Sequence, residues 1–319
     1  MRITVLAGGI GGARFLRGVR AACPDDDITA VVNTGDDVTL HGLRVCPDLD
    51  SVMYTLGGAA DEERGWGRAG ETWRIQDEFA KYGAEPSWFN LGDLDISTHL
   101  VRTRMLDAGF ALSDVTAALC ERWQPGVRLL PMTDDRCETH VVVDVDEDDG
   151  TDLPRRRAIH FQEWWIKHRA GLPAHAFVQV GVDDAAPAPG VLESIAAADV
   201  VLIAPSNPVV SIGTILGVDG IHEAISSGPA PVVGLSPIVG GAPVRGMADA
   251  CLAAIGVEVS AEGVGRHYGA RSQGGLLDGW LVHETDGGVV PGVEVRRVPL
   301  LMTDDRATVA MVRAALELA

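Results

Sequence analysis

A chain of 319 residues, 46% of them hydrophobic, is long enough to bury a sizeable core in one large α/β domain or two small ones. Its formal charge of -19 argues against nucleic acid and membranes as general partners, because both are anionic; a small anionic substrate needs only local donors. The cysteines Cys23, Cys46, Cys120, Cys137 and Cys251 are scattered and include no C-x-x-C pair, which predicts reduced thiols and neither a disulfide framework nor a zinc site. No apolar run approaches a membrane span and the N-terminal one is too short for a signal sequence, so the expected compartment is the cytoplasm.

In chain order, Arg2 to Ala7 is a short apolar run and predicts a strand. Gly8-Gly9-Ile10-Gly11-Gly12-Ala13-Arg14 follows, with a helix expected over about Gly12 to Ala22 and a second strand over Ile28 to Asn33. Strand, glycine loop, helix, strand is the opening of a nucleotide-binding parallel sheet. From Leu49 the pattern turns helical, over Ser51 to Leu56, Glu71 to Tyr82, Ile96 to Leu106 and Leu112 to Trp123. Residues 50–125 therefore read as a helical insertion that roofs the strand ends, within a single α/β domain spanning 1–319. Strands resume at Val127 to Met132, Thr139 to Val145 and Arg156 to His160, with an acidic turn at Asp144 to Gly150 that reads as a solvated hairpin tip. Phe161 to His168 predicts a short helix, Ala176 to Val180 a strand and Pro189 to Ala198 a helix. Asp199 to Ala204 and Pro231 to Leu235 are continuous apolar runs, as buried parallel strands should be. Trp280 to Glu284 and Val293 to Val298 are late strands, and Ala307 to Leu318 is a closing helix. The expected fold is α/β: a Rossmann-like, mostly parallel sheet with a helical insertion after the second strand.

Gly9-x-Gly11 supplies part of a dinucleotide fingerprint, with Arg14 where the third glycine would stand. Glycines let the backbone reach a phosphate, and the helix start points N–H groups at it. Gly9, Gly11, Gly12 and Arg14 are therefore candidate nucleotide contacts. An NAD site would want one acidic residue at the end of the second strand; the paired Asp36 and Asp37 suit a metal or a hydroxyl nucleophile better. Asp48 and Asp50, two apart before a helix, suit a shared Mg²⁺ about as well as they suit helix capping. Asp37, Asp48 and Asp50 are thus the candidate ligands of a Mg²⁺ cofactor, and Asp50 and Asp37 the candidate catalytic carboxylates, Asp50 as general base. Ser206 and Asn207, and the loop from Ser236 through Gly240 to Arg245, follow buried strands; each is a nucleotide contact or an ordinary loop. Asn90, Asp93, Thr98, His99 and Arg102 set polar groups around a helix start; spacing alone favours a capped surface helix. Met132-Thr133-Asp134-Asp135 recurs as Met302-Thr303-Asp304-Asp305, and the first copy is the better placed for a site. The seven tryptophans are read as core or interface.

The glycine loop, Cys46-Pro47-Asp48-Leu49-Asp50, Leu91-Gly92-Asp93, Ala204-Pro205-Ser206-Asn207-Pro208 and Ser236-Pro237-Ile238 occur in that order. Over essentially its whole length the chain resembles the CofD/FbiA family, the 2-phospholactate or phosphoenolpyruvate transferases of coenzyme F420 biosynthesis. His160 to Trp165 and Arg122 to Gly126 look like the actinobacterial FbiA branch. The resemblance implies transfer of a phosphoenolpyruvyl or 2-phospholactyl group from a guanosine diphosphate conjugate to the ribityl hydroxyl of the deazaflavin Fo, releasing GMP, in a Mg²⁺-dependent homodimer. It implies that the insertion holds Fo, with Asp50, Asn90, Asp93, Thr98, His99 and Arg102 as substrate contacts. The alternative is a non-catalytic guanine-nucleotide-binding regulator of the related gluconeogenesis-factor type. Leu94 departs from the family pattern, which carries Arg after Leu-Gly-Asp; a basic contact is then missing or supplied from elsewhere.

Overall fold

The computed structural model describes residues 1–145 and 155–319. β1 (Arg2–Ala7), α1 (Gly9–Ala22) and β2 (Asp27–Val32) open the chain. The hairpin β3 (Val38–Leu40) and β4 (Leu43–Val45) follows, then four helices: α2 (Pro47–Leu56), α3 (Arg74–Tyr82), α4 (Asp93–Asp107) and α5 (Leu112–Trp123). After β5 (Arg128–Pro131) come β6 (Glu138–Val145), β7 (Arg155–His160) and β8 (Ala174–Val180), a separate antiparallel sheet in the order β7-β6-β8. α6 (Val191–Ala197), β9 (Val200–Ile203), α7 (Ile212–Gly217), α8 (Ile221–Ser227) and β10 (Val232–Leu235) lead to the short hairpin β11 (Ile238–Val239) and β12 (Ala242–Pro243). α9 (Ala248–Ala254), α10 (Ala261–Tyr268), β13 (Gly279–His283), β14 (Glu294–Val298) and α11 (Asp305–Leu316) complete the chain.

The main sheet has seven strands in the order β14-β13-β10-β9-β1-β2-β5. Every pairing in it is parallel. All residues of β9 and β10 are buried, which is why they read as unbroken apolar runs. Side chains alternate between two apolar clusters, one on each face, with the period of two a strand imposes. Leu6, Val201, Ile203 and Val232 join Trp164, Ile212 and Trp280. Val5, Ala7, Val200, Leu202 and Val233 join Phe15, Leu16, Met311 and Val312.

Several boundaries differ from those expected. α1 begins at Gly9 and not Gly12, so three of the four loop glycines lie in its first turn. Asp48 and Asp50 likewise lie inside the first turn of α2, behind Pro47, and not ahead of it. The β3–β4 hairpin is not legible from periodicity, because its strands are three residues each; its turn is His41-Gly42, both at positive φ (51° and 77°), the geometry a tight hairpin demands. The main sheet is wholly parallel, with antiparallel pairing confined to the smaller sheets. Glu163–Lys167 winds as a π-turn and not as an α-helix. Residues 146–150 of the acidic turn lie outside the described residues. Among the described residues no helix is long and apolar enough to cross a membrane. All five cysteines are free.

α1 crosses α11 at Gly18, where a Cβ would meet the Thr308 methyl and lie 2.9 Å from Thr308 Cβ. Alanine is the better helix former by about 1 kcal/mol, but here overpacking, about 1–3 kcal/mol, should win. Gly18→Ala is expected to lower the urea midpoint, and Thr308→Ser in the same chain to recover part of the loss.

Candidate active site

The strand order turns around between β1 and β9: from β1 the chain builds outward through β2 to β5, and from β9 outward through β10, β13 and β14. In such a sheet the loops at the carboxyl ends of the two central strands diverge and leave a crevice. Ser206 ties those loops together. The Gly8 N–H donates to Ser206 Oγ (3.1 Å), and the Ser206 hydroxyl donates to the Gly8 carbonyl (2.8 Å). Asn33, just after β2, donates its backbone N–H to the Ala7 carbonyl (3.1 Å) and its side-chain amide to Asp48 (2.9 Å). Over these loops lies a cavity of about 770 Å³, roofed by Trp66, Gly67, Phe89 and Asn90 from the insertion. That volume suits a small-molecule site.

The glycines serve the protein's own packing before they serve a ligand. A Cβ on Gly8 would fall 2.6 Å from Ser211 Cβ and 2.8 Å from an Asp48 oxygen. On Gly12 it would fall 2.8 Å from Ser206 Oγ, and on Gly11 3.1 Å from the Pro205 carbonyl oxygen. Gly9 holds a φ of 62°. Gly9 and Gly11 line the cavity; Gly12 is a close-packing position behind it. Arg14 and Arg245 also line the cavity, and neither has a hydrogen-bond or ion-pair partner among the described residues. Burial and the nearby Arg14 charge hold Arg245 below the usual arginine range. Two unpaired guanidinium groups beside a helix N-terminus make an anion site. Ser206, Asn207 and Ser236 sit on the cavity wall. The Ser236 hydroxyl donates to the Ile238 carbonyl (2.8 Å), and Asn207 Oδ1 accepts from the N–H groups of Val209 (2.9 Å) and Val210 (3.3 Å), so these side chains fix loop shape. Gly240 lies off the wall, its N–H donating to Asp286 (2.8 Å).

The carboxylates do not assemble as the sequence suggests. Asp37, Asp48 and Asp50 do not form one cluster: among the described residues, the three-residue group with ligand atoms all within 4.8 Å of one another is Asp50, Asp95 and His99. Asp37 is fully buried away from the cavity wall and pairs with Arg44 at 3.1 Å. Burial, only partly offset by Arg44, pushes its carboxyl up to about 6. Asp36 takes the place expected of Asp37: it lines the cavity with Asp48 and has a buried oxygen without a partner. Burial raises Asp36 well above the carboxylate range and the neighbouring Asp48 charge adds to it, while an Asn33 hydrogen bond opposes both. Burial also raises Asp48, against hydrogen bonds from Asn33 and the Gly9 N–H. Two acids pressed together without a countercharge are suited to a hard divalent cation, which takes one or two carboxylates plus phosphate oxygens.

Asp50 is held differently. Both its oxygens are bonded by the buried Arg102, Nη1 at 3.1 Å and Nη2 in the closer contact. Arg102 Nη1 also reaches His99 Nδ1 (3.1 Å); an arginine only donates, so Nδ1 accepts and the ring proton sits on Nε2, 3.4 Å from Asp95. Tyr54 donates to the same Asp95 (2.7 Å). Burial would raise Asp95, but the bonds from His99 and Tyr54 and the Arg102 charge hold it below the usual carboxylate range. Arg102 already supplies this trio with its positive charge, which makes it a poor cation site. Asp50, Asn90, Asp95 and His99 line the cavity; Arg102 and Thr98 stand behind it. Asp93 is outside the site: it accepts the Ile75 N–H (3.0 Å) and caps α3. Asp134 caps α5 through the Ser113 N–H (2.6 Å), Asp304 caps α11 through the Ala307 N–H (2.7 Å), and of the two Met-Thr-Asp-Asp copies only Met302 reaches the cavity. Sequence reasoning singled out the Asp36–Asp37 pair but chose Asp37 from it, and it missed Tyr54, Trp66, Phe89 and Asp95.

A parallel sheet with a crevice at its switch point, lined by a helix N-terminus, two arginines and a carboxylate pair, places the chain among the α/β folds that carry a small-molecule site at the carboxyl ends of their strands. Comparison with known proteins sharpens this. The profile of the family described as 2-phospho-L-lactate transferase CofD matches residues 3–292, and the chain belongs to that family. It is 62% identical to the phosphoenolpyruvate transferase of Nocardia farcinica, covering 100% of this chain and 95% of the relative. It is 63% identical to that of Streptomyces griseus (100% and 98% covered) and 57% to that of Mycobacterium avium (100% and 99%). In fold it is similar to a crystal structure of a UPF0052 family protein from Bacillus halodurans, with a TM-score of 0.61 and 20% identity over 98% of this chain and 99% of that one. The chain is a transferase.

Removing Arg102 would strand a buried negative charge, which typically costs about 3–5 kcal/mol. Arg102→Met should therefore lower stability by that order in urea unfolding, and Asp50→Asn in the same chain should recover most of the loss.

Proposed function

We propose that the protein transfers a phosphoenolpyruvyl or 2-phospholactyl group from a guanosine diphosphate conjugate to the ribityl hydroxyl of Fo and releases GMP. The observation that carries this reading is one cavity in which an unpaired arginine pair at a helix N-terminus adjoins a carboxylate pair with no countercharge. The names of the relatives supply the transferred group. The N-terminus of α1, Arg14 and Arg245 would hold the diphosphate. Asp36 and Asp48 would hold a Mg²⁺, which neutralises phosphate charge when bound. In the transfer the Fo hydroxyl oxygen bonds to the β-phosphorus of the conjugate as the bond from that phosphorus to GMP breaks, the electron pair leaving with GMP and the hydroxyl proton passing to solvent. Asp50, held in place by the two Arg102 hydrogen bonds, accepts a hydrogen bond from the attacking hydroxyl and orients it. Phosphoryl transfer proceeds through a loose transition state, so positioning and charge neutralisation matter more than a strong base.

The test is mass spectrometry of the product formed from Fo with each guanylylated donor, the two products differing by two hydrogens. GDP binding without turnover of Fo by either donor would point instead to a nucleotide-binding regulator. Asp36 and Asp37 separate the roles further. Asp36→Asn should lower turnover by about 10²-fold or more and shift the Mg²⁺ dependence. Asp37→Asn should lower stability while leaving the Mg²⁺ dependence of turnover in place. The reverse pattern would return the metal to Asp37.

A further inference from the structure

One segment of the cavity wall has no task in the reading above: Phe161 to Ala170. It begins beside the carboxylates, because His160 Nε2, at the end of β7, lies 3.2 Å from the Asp37 carbonyl oxygen. The chain then makes its π-turn over Glu163–Lys167. Trp164 anchors that turn: it is fully buried, packs edge-on against Phe177, and donates its indole N–H to the Leu172 carbonyl at 2.8 Å. The Ala170 N–H donates back to the Trp164 carbonyl at 3.0 Å. Closing this loop takes two successive non-glycine residues in the left-handed region, Arg169 at φ 51° and Ala170 at φ 53°. Isolated π-turns and left-handed non-glycine residues are uncommon and gather at functional sites.

The product of this backbone is a surface. Trp165, Ile166 and Arg169 line the cavity, and Ile166 is 39% exposed. The Trp165 indole N–H and the Arg169 guanidinium have no partner among the described residues. Their neighbours do: Lys167 and His168 both turn to Glu163, at 2.8 and 3.8 Å. So in a strongly acidic chain one cation is kept clear of carboxylates and placed beside an indole and an aliphatic side chain. A flat heteroaromatic ring with carbonyl oxygens at its edge fits all three. The indole stacks on it, Ile166 covers it, and the guanidinium donates to its edge.

We propose that Trp165, Ile166 and Arg169 form the ring-binding wall for one of the two substrates. The inference rests on the function proposed above, in which the donor carries guanine and the acceptor a deazaflavin, both rings of this chemistry. The experiment is calorimetric titration of GDP and of Fo, separately, into the wild-type protein, Trp165→Ala, Trp165→Phe and Arg169→Ala. Loss of a stacking partner should weaken binding of one ligand, and the same ligand in each case, by about tenfold to a hundredfold in Trp165→Ala, with the other ligand unchanged. Trp165→Phe should restore most of that affinity, and Arg169→Ala should weaken the same ligand. If GDP is the ligand affected, the wall holds the guanine; if Fo, the deazaflavin. Unchanged affinity for both ligands in Trp165→Phe and Arg169→Ala, together with unchanged affinity in a folded Trp165→Ala, would overturn the inference and leave the function standing. Should Trp165→Ala not fold, Arg169→Ala decides alone: a selective loss supports the wall, and no loss overturns it. A wild-type protein that binds neither ligand would take down the proposed function and this wall with it.

Discussion

Two hydrogen bonds between Ser206 and Gly8 hold the site at the place where the sheet changes direction. The tie adds to the Ala204 N–H bond to the Leu6 carbonyl (3.0 Å), and together they seat α1 close to the β9 loop where the strand order alone would let the loops diverge. The glycines follow from this closeness. Gly12 leaves room for Ser206 Oγ, Gly11 for the Pro205 carbonyl, and Gly8 for Ser211 and Asp48. What faces the crevice is then a helix N-terminus whose N-cap residue has no side chain, with Asp48 taking the Gly9 N–H. The anion-binding end of the cavity and its carboxylate pair are therefore products of one packing arrangement.

Charge in the cavity is sorted by pairing. Asp37 and Asp50 each have an arginine and are spent on it, Arg44 and Arg102. Among the described residues Asp36 and Asp48 have no arginine partner, and Arg14 and Arg245 have no carboxylate partner; all four line the cavity. The unpaired charges are of both signs and share the cavity. That arrangement is what supports the proposed ligand, an anion that brings a cation. Arg17, three residues beyond Arg14 on α1, shows the contrast: it is bound to Glu62 and Asp305 outside the cavity.

The sequence showed the sheet well because β9 and β10 are apolar throughout and β1 is apolar but for Arg2 and Thr4, and it showed the glycine loop because four glycines in five residues have few explanations. Of the candidates it named, the fold brings Asp48, Asp50, Asn90 and His99 to the cavity wall and leaves Asp37, Asp93, Thr98, Arg102, Gly12 and Gly240 off it. Asp93 misled because a helix-capping carboxylate and a substrate-binding one look alike in one dimension. Asp36 and Asp37 could not be told apart because adjacent residues point opposite ways, and only the β3–β4 hairpin, invisible to periodicity, brings Arg44 back to Asp37. Trp164 is core and Trp165, half-buried, packs against the same core, as the sequence suggests; that Trp165 also reaches the cavity follows from the π-turn, which has no sequence signature.

The position of β1 has a consequence for how the chain is made. β1 is synthesised well before one of its two neighbours, β9, which pairs Ile3 with Val200 across 197 residues. At a typical elongation rate that partner reaches the ribosome exit about 10–40 s later. Through that interval the nascent chain carries an apolar strand with one open edge, the feature that most readily recruits another strand. Long-range parallel pairing is also slow to form once the partner is present. The site that Gly8 and Ser206 create is thus among the last things the polypeptide can assemble, and yield in the cell depends on shielding this edge until β9 arrives.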